Sequence, residues 1–452
     1  MSLELSLPSA VDFSKAHPHI PENVNTSLLT ILPTNGTTFK AGGVIQFDCP
    51  ARAGLYLAGS TAFLRYRFRY TSGATAPILR ATPALTPFFK LDEYVNSVPA
   101  SSIYNYHQIA NMYVQQHLGI SEKLGVQSAL FGELKASVVA NDTAGDSVTL
   151  LASQSSLAGT LSFAVPLYCS ALSNMDKYFP TGLAGSYRIQ LTLAQIADMV
   201  TVTANMTDYQ LENVELCMNA IDMGPSVDAM VASMGEHLII KASTFANAGV
   251  GQVASGATGV VSLLANHRFQ SINNVYVLSC GADVAKDVNA IFDSRDITSS
   301  NGSYQITIGS QTFPQLPINT AVNKNAVLQY MRECTSSLFD WKYAMSITGT
   351  EFSSYLGSAN ATQLTGGITP VAVTTATEPS KFYVGIPVSK IQNMDAYAPT
   401  SLLSGVSASS TPLICNINIG TATGQAYNVF VVAEYDVLIK IDPMSRTAQV
   451  IV

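Results

Sequence analysis

Asn174-Met175-Asp176-Lys177-Tyr178-Phe179-Pro180-Thr181 returns as Asn393-Met394-Asp395-Ala396-Tyr397-Ala398-Pro399-Thr400, 219 residues later (393 − 174) in a chain of 452. Six of the eight positions are identical, and the offset is close to half the chain. A phrase this short needs a second witness. The clearest helical stripe of the first half, Tyr106, Ile109, Ala110, Tyr113 and His117, has a counterpart at Val327, Tyr330, Met331, Cys334 and Leu338, at an offset of 221 (327 − 106). Two unlike features recurring at nearly one offset argue for one domain type used twice, because loop-length changes shift the register by only a few residues.

Working outward from the phrase, strict alternation marks the strands. Between Phe63 and Tyr70, Leu64, Tyr66, Phe68 and Tyr70 fall on one face and Arg65, Arg67 and Arg69 on the other, which is the period of a half-buried strand. Tyr187, Ile189, Leu191 and Leu193 alternate in the same way with Arg188, Gln190 and Thr192. In the second half, Leu413–Ile419 and Tyr427–Ile441 are rich in β-branched and aromatic residues, and Val275–Leu278 is a short apolar strand. Turn chemistry separates these runs at Pro33–Gly36, Thr71–Gly73, Ser299–Gly302 and Gly420–Gln425. Only two long helices are predicted, about Ser101–Leu118 and Ala321–Phe339, at comparable places in each half. The expected unit is an eight-stranded β-sandwich with one inserted helix, used as residues 1–222 and 223–452, with Met223-Gly224-Pro225-Ser226 as the hinge.

Composition bounds what such a chain does. Hydrophobic residues make up 47% and charged residues 12%, about half the usual charged share. A charge-poor surface suits a protein packed against copies of itself. The net charge of −7, with no Lys or Arg cluster at either terminus, weighs against direct genome neutralisation, which needs dense cations to displace counterions. The six cysteines stand singly with no C-x-x-C pair, so they read as buried thiols rather than a zinc site or disulfide framework. Met1–Pro8 has no basic region followed by an apolar core, so no secretory signal is expected, and no apolar run is long enough to span a bilayer.

The common catalytic constellations are missing from the sequence: H-E-x-x-H, G-x-S-x-G and the phosphate-binding loop. Gly249-Val250-Gly251 with Gly256 has the wrong spacing for a dinucleotide turn. His17-Pro18-His19 reads as a polar arm, and His107 and His117 are too far apart on their helix to share a metal. The Arg65/Arg67/Arg69 row reads as a strand face paired to neighbouring carboxylates, in preference to a nucleic-acid contact. Asp176 and Asp395 read as turn formers, since Asp bonds its own backbone two residues on. No catalytic, cofactor-binding or metal-ligating residue is assigned, and no cofactor is expected.

The segments Tyr178–Leu183, Arg188–Leu193 and Tyr209–Val214, which close the first unit, and His267–Ile272 with Val275, early in the second, carry a resemblance. The chain resembles the double jelly-roll major capsid proteins of tailless icosahedral DNA viruses, on the side of the polinton-like viruses, adintoviruses and virophages. The resemblance implies an all-β fold of two tandem eight-stranded jelly rolls. It implies homotrimeric, pseudo-hexagonal capsomers tiling an icosahedral shell, with neighbouring capsomers, penton and minor capsid proteins as partners and contact with an internal membrane. It implies location in the virion capsid and no direct sequence-specific nucleic-acid binding. The chain is shorter than many members, which argues against large outer tower loops. Two other classes stay open at this point: an amidase or hydrolase acting on glycoproteins from the same architecture, and a single-barrel RNA-virus coat or cell-surface adhesin.

Overall fold

The computed structural model describes residues 24–74, 78–80, 82–119, 130, 147–149, 156–200, 206–233, 235, 237–282, 294–298, 302–320, 324–335, 347, 381–389 and 403–452. The second copy of the phrase, the His17–His19 arm and Leu338 lie outside the described residues.

The sandwich strands of the first unit are β1 (Asn25–Ile31, resumed at Thr38–Lys40), β2 (Val44–Cys49), β3 (Leu55–Ser72), β4 (Phe88–Val95), β5 (Val98–Tyr104), β6 (Gly159–Pro166), β7 (Tyr187–Leu193) and β8 (Met206–Asp222); besides these, Phe179–Pro180 pairs with β3 and Ile78–Arg80 with Ser147–Thr149. Those of the second are β9 (Leu238–Val253), β10 (Gly259–Ala265), β11 (Ile272–Gly281), β12 (Ser303–Ile308), β13 (Gln311–Asn319), β14 (Val384–Pro387), β15 (Leu413–Ile419) and β16 (Tyr427–Asp442). In the first unit one sheet runs β1-β8-β3-β6 and the other β2-β7-β4-β5; in the second the orders are β9-β16-β11-β14 and β10-β15-β12-β13. Adding eight to each strand number of the first unit gives the second. Each unit therefore has jelly-roll topology, two antiparallel sheets whose successive strands cross between them. A last strand, β17 (Thr447–Ile451), adds to β16.

Alternation builds both cores. In β7 the burial strictly alternates, with Tyr187, Ile189, Leu191 and Leu193 inward, and in β3 Leu64, Tyr66, Phe68 and Tyr70 meet them from the facing sheet. Phe68 stacks on Tyr209 of β8 with ring centroids 5.4 Å apart. Each such side chain contributes about 1.5–3 kcal/mol of burial free energy. β15 repeats the pattern with Leu413, Cys415, Ile417 and Ile419 inward.

Both predicted helices are present, the first shorter at its ends; residues 321–323 and 336–339 of the second lie outside the described residues. Helix α1 (Tyr106–His117) starts later than expected because Ser101–Tyr104 complete β5, and Asn105 turns the chain through a left-handed conformation, φ 55. The segment expected to be a hinge is instead the entry to a helix, α2 (Pro225–Ser233). Pro225 occupies its first position, where the missing N–H costs nothing and φ is already helical. Asp228 of α2 is buried and ties back to the first unit, accepting the Gly54 N–H at 2.7 Å and the Tyr56 hydroxyl at 2.9 Å. Helix α3 (Lys324–Thr335) follows β13 as α1 follows β5, with Val327, Met331 and Cys334 buried. All six cysteines are buried and none is in a disulfide.

Candidate functional site

The seam between the two units gathers most of the buried polar chemistry. Its first component is the connection from β6 to β7, which carries the phrase. Glu93 of β4 is fully buried and holds the start of that connection, accepting Ser170 Oγ at 2.6 Å and the N–H groups of Ala171 and Leu172 at 2.6 and 3.2 Å. Ser101 Oγ and the Tyr187 hydroxyl also donate to it, at 2.5 and 2.9 Å. A carboxylate with this many donors is stable in the interior without a cation.

Beyond this anchor the phrase reaches the second unit. The Asp176 N–H donates to the Lys241 carbonyl at 2.9 Å, and the Lys241 N–H donates to Asp176 Oδ1 at 2.9 Å. Asn174 Nδ2 donates to the Ser243 carbonyl at 3.0 Å and Lys177 Nζ to the Ile239 carbonyl at 3.2 Å. The phrase thus lies along the outer edge of β9. The turn-forming role expected for Asp176 is corrected here: it sits at a bend, but its carboxylate bonds the backbone of the other unit.

Helix α1 is the second component. Gln108, Asn111, Gln115 and Gln116 are buried along with its apolar stripe, because the helix is wedged against the second unit. Asn111 Nδ2 donates to the Tyr383 hydroxyl at 3.4 Å, and the Tyr113 ring meets Phe245 edge-on at 5.9 Å. His107 is buried, and desolvation pushes its pKa down to about 4 against an opposing backbone hydrogen bond with Phe88. His117 stacks on Tyr113 at 3.8 Å, and its Nδ1 lies 2.9 Å from the Tyr113 carbonyl oxygen.

The third component is an acidic cluster on β16. Asp436 accepts Ser271 Oγ at 2.7 Å and Asn273 Nδ2 at 2.9 Å, with Lys241 Nζ at 3.4 Å. Glu434 accepts Asn274 Nδ2 at 2.8 Å and the Tyr276 hydroxyl at 3.0 Å. Burial raises the Glu434 pKa, with Asp436 adding to the effect and the two hydrogen bonds opposing it. A perturbed acid invites a catalytic reading. Here each acid is occupied by Ser, Asn or Tyr donors that also fix the strand ends, which is the simpler role.

The remaining sequence candidates fall apart spatially. His267 sits alone in the second core, its Nε2 3.0 Å from the Val431 carbonyl oxygen, with burial lowering its pKa. Arg65 pairs with Glu215 at 2.7 Å and Arg69 with Glu212 at 2.9 Å across β3 and β8, as the paired-face reading expects. Among the described residues no group of three or more His, Cys, Asp or Glu side chains is arranged to hold a metal ion, and no helix is long and apolar enough to cross a membrane. Sequence reasoning missed Glu93, Asp228 and the buried amides of α1. Of these only Asp228 had a local signal, the Gly-Pro helix entry before it.

No family model and no curated protein matches the chain. Solved structures do. The chain is similar to the PBCV-1 protein VP54, as fitted into a reconstruction of the virophage Sputnik, at 10% identity and TM-score 0.58 over 97% of this chain and 98% of that one. It is similar to the Faustovirus major capsid protein at 12% identity and TM-score 0.54, over 95% and 92% of the two chains. The mavirus major capsid protein matches at 11% identity and TM-score 0.52, over 100% of this chain and 95% of that one. At such identities the likeness establishes architecture. The chain is a double jelly roll, with the fold of these viral major capsid proteins along its whole length.

Proposed function

We propose that this chain is a viral major capsid protein that self-assembles as pseudo-hexagonal homotrimers tiling an icosahedral shell. The observation that carries the reading is the end-to-end match of a two-sandwich chain to capsid proteins, with 97% of this chain and 98% of the PBCV-1 protein covered. Three copies bring six similar sandwiches around a three-fold axis, and a surface with only 12% charged residues in its chain suits the contacts between them. In this reading residues 1–222 and 223–452 are the two jelly rolls, and the polar clusters of the seam are structural, with no catalytic centre. Partners are neighbouring capsomers, penton and minor capsid proteins and an internal membrane; genome neutralisation falls to other components.

Native mass measurement tests this directly. The expected result is a particle of three times 48.0 kDa that appears as a hexagonal block in negative-stain micrographs. A folded chain that stays monomeric at every attainable concentration overturns it.

A further inference from the structure

In the seam, β5 of the first unit runs beside β9 of the second. Both ends of β5 are tied. Just past it, Asn105 Oδ1 accepts Asn247 Nδ2 of β9 at 3.5 Å; just before it, Asn96 Nδ2 donates at 3.3 Å to the Arg446 carbonyl, in the turn from β16 into β17. Beside that turn Asp442 faces Thr447 and Ile441 faces Leu238, so the two strands run parallel and the middle of β5, at Ser102, passes β9 near Ser243. The counterpart of β5 in the second unit is β13, and that of β9 in the first is β1. Strand β13 ends its sheet, and among the described residues no strand pairs with the outer edge of β1.

Register matches the counterparts residue by residue. Two-residue turns, Asn96-Ser97 and Gly309-Ser310, lead into β5 and β13. Ser101 faces Glu93 and Ile103 faces Leu91; at the same two steps Phe313 faces Ile306 and Ile318 faces Tyr304. Where β5 has Ser102 alone between those steps, β13 has Pro314-Gln315-Leu316-Pro317. The added residues form a bulge. Gln305 Nε2 holds it by donating to the Pro314 and Gln315 carbonyls at 3.1 and 3.3 Å, and Leu316 stands out, 83% exposed. On the other side, Met206 opens β8 opposite the last residue of β3 and Tyr427 opens β16 opposite the last residue of β11, an offset of 221 (427 − 206). At that offset Cys217, which faces Thr30, matches Leu438, which faces Lys241, so Leu32 takes the place of Ser243. Leu32 is 63% exposed, and Leu28 of the same edge 52%.

Resting on the trimeric reading above, we propose that β13 of one copy docks along β1 of the next as β5 docks along β9 within the chain, with Leu316 of the bulge packing on Leu32 and Leu28. Such a contact joins unlike surfaces, so repeating it from copy to copy can close a ring. Neither residues 25–32 nor Gln311–Asn319 include a charge, although exposed sheet edges are ordinarily guarded by charged side chains. No ion is therefore desolvated when the two edges meet, and the leucines bury one another. The helices that follow β5 and β13 differ in the same sense: Gln108 of α1 is buried in the seam, and Gln329 of α3, 221 residues later (329 − 108), is exposed.

Cross-linking in the full chain tests the contact, since the native cysteines are all buried. Leu32→Cys/Leu316→Cys, treated with a short bismaleimide and run denatured, is expected to migrate as a covalent trimer. Each single variant treated alone is expected to remain one chain. Leu316→Asp changes an exposed side chain, so it should keep the circular dichroism of the wild type and lose the trimer by native mass at concentrations where the wild type holds it. A wild-type trimer whose double-cysteine variant does not cross-link between chains, or which Leu316→Asp leaves intact, overturns this docking and leaves the capsomer standing. Cross-linking of either single variant also overturns it, because like edges then meet. A monomeric wild type overturns both.

Discussion

Strands β1 and β9 each open their sandwich, yet among the described residues only the outer edge of β9 is covered. Along β9 the phrase lies against Ile239, Lys241 and Ser243, and along β1 no described strand does so. The acid that fixes the covering loop also belongs to one unit only. Glu93 sits in β4, whereas β12, its counterpart, reads Ser-Tyr-Gln-Ile-Thr-Ile and carries no carboxylate. Two units of one topology therefore differ in what holds their connections. The connection of the first is held by an acid of its own interior, and the matching strand of the second offers none.

The largest expected effect comes from breaking that lock. Glu93→Ala strands the hydroxyls of Ser101, Ser170 and Tyr187 and the N–H groups of Ala171 and Leu172, and should cost on the order of 3–5 kcal/mol, read as a lowered denaturant midpoint. Proteolysis within residues 167–178 should rise in the same variant. An effect below about 1 kcal/mol would mean that the loop is held by the second unit instead.

A pH experiment sharpens the comparison at the helices. His107 of α1 has a folded pKa of about 4, below the unfolded value, so between those values the unfolded chain binds more protons. Its contribution is fully present above about pH 6.5 and is lost as pH falls toward 4, amounting to about 3 kcal/mol. Glu434, whose pKa is raised, acts in the opposite sense. The readout is therefore the difference between the wild type and His107→Gln, whose stability should fall less steeply over that range. Parallel curves would show that His107 is not desolvated.

Removing the contact of Asp176 with β9 is milder. Asp176→Ala deletes one charge-assisted bond to an exposed backbone and should cost about 1 kcal/mol in urea unfolding, with α1 still packed in the seam. A complete separation of the units would show that the phrase, and not α1, joins them. The smallest effect belongs to the paired sheet face. Glu212→Gln takes the charge from Arg69, which keeps its bond to the Leu157 carbonyl, and should change stability by less than about 1 kcal/mol, vanishing in salt.

How far the sequence could be read follows from where each residue's partners lie. Tyr187–Leu193 declared itself because a strand between core and solvent writes its burial as alternation, with no need of distant information. The α1 stripe was visible for the same reason, but Gln108, Asn111 and Gln115 were not, because periodicity records one-sided burial and this helix is covered on several sides. Glu93 gave no local sign, since its donors come from residues 101, 170–172 and 187. The repeated phrase was legible as a repeat, but its function depends on an edge more than sixty residues away. Met223–Ser226 did carry a local signal, since Pro after Gly is a helix entry, and reading it as a hinge overlooked that.

The buried thiols bear on how such an object is taken apart. Desolvation pushes Cys49 and Cys415 up to about 12 and raises Cys169 and Cys334 as well, so these sulfurs stay protonated and shielded. In the proposed assembly, with none of the six cysteines in a disulfide, dissociation is expected in denaturant alone. Adding or withholding reductant should leave its dissociation curve unmoved, and a particle carried from a reducing to an oxidising medium keeps the same chemistry it was built with.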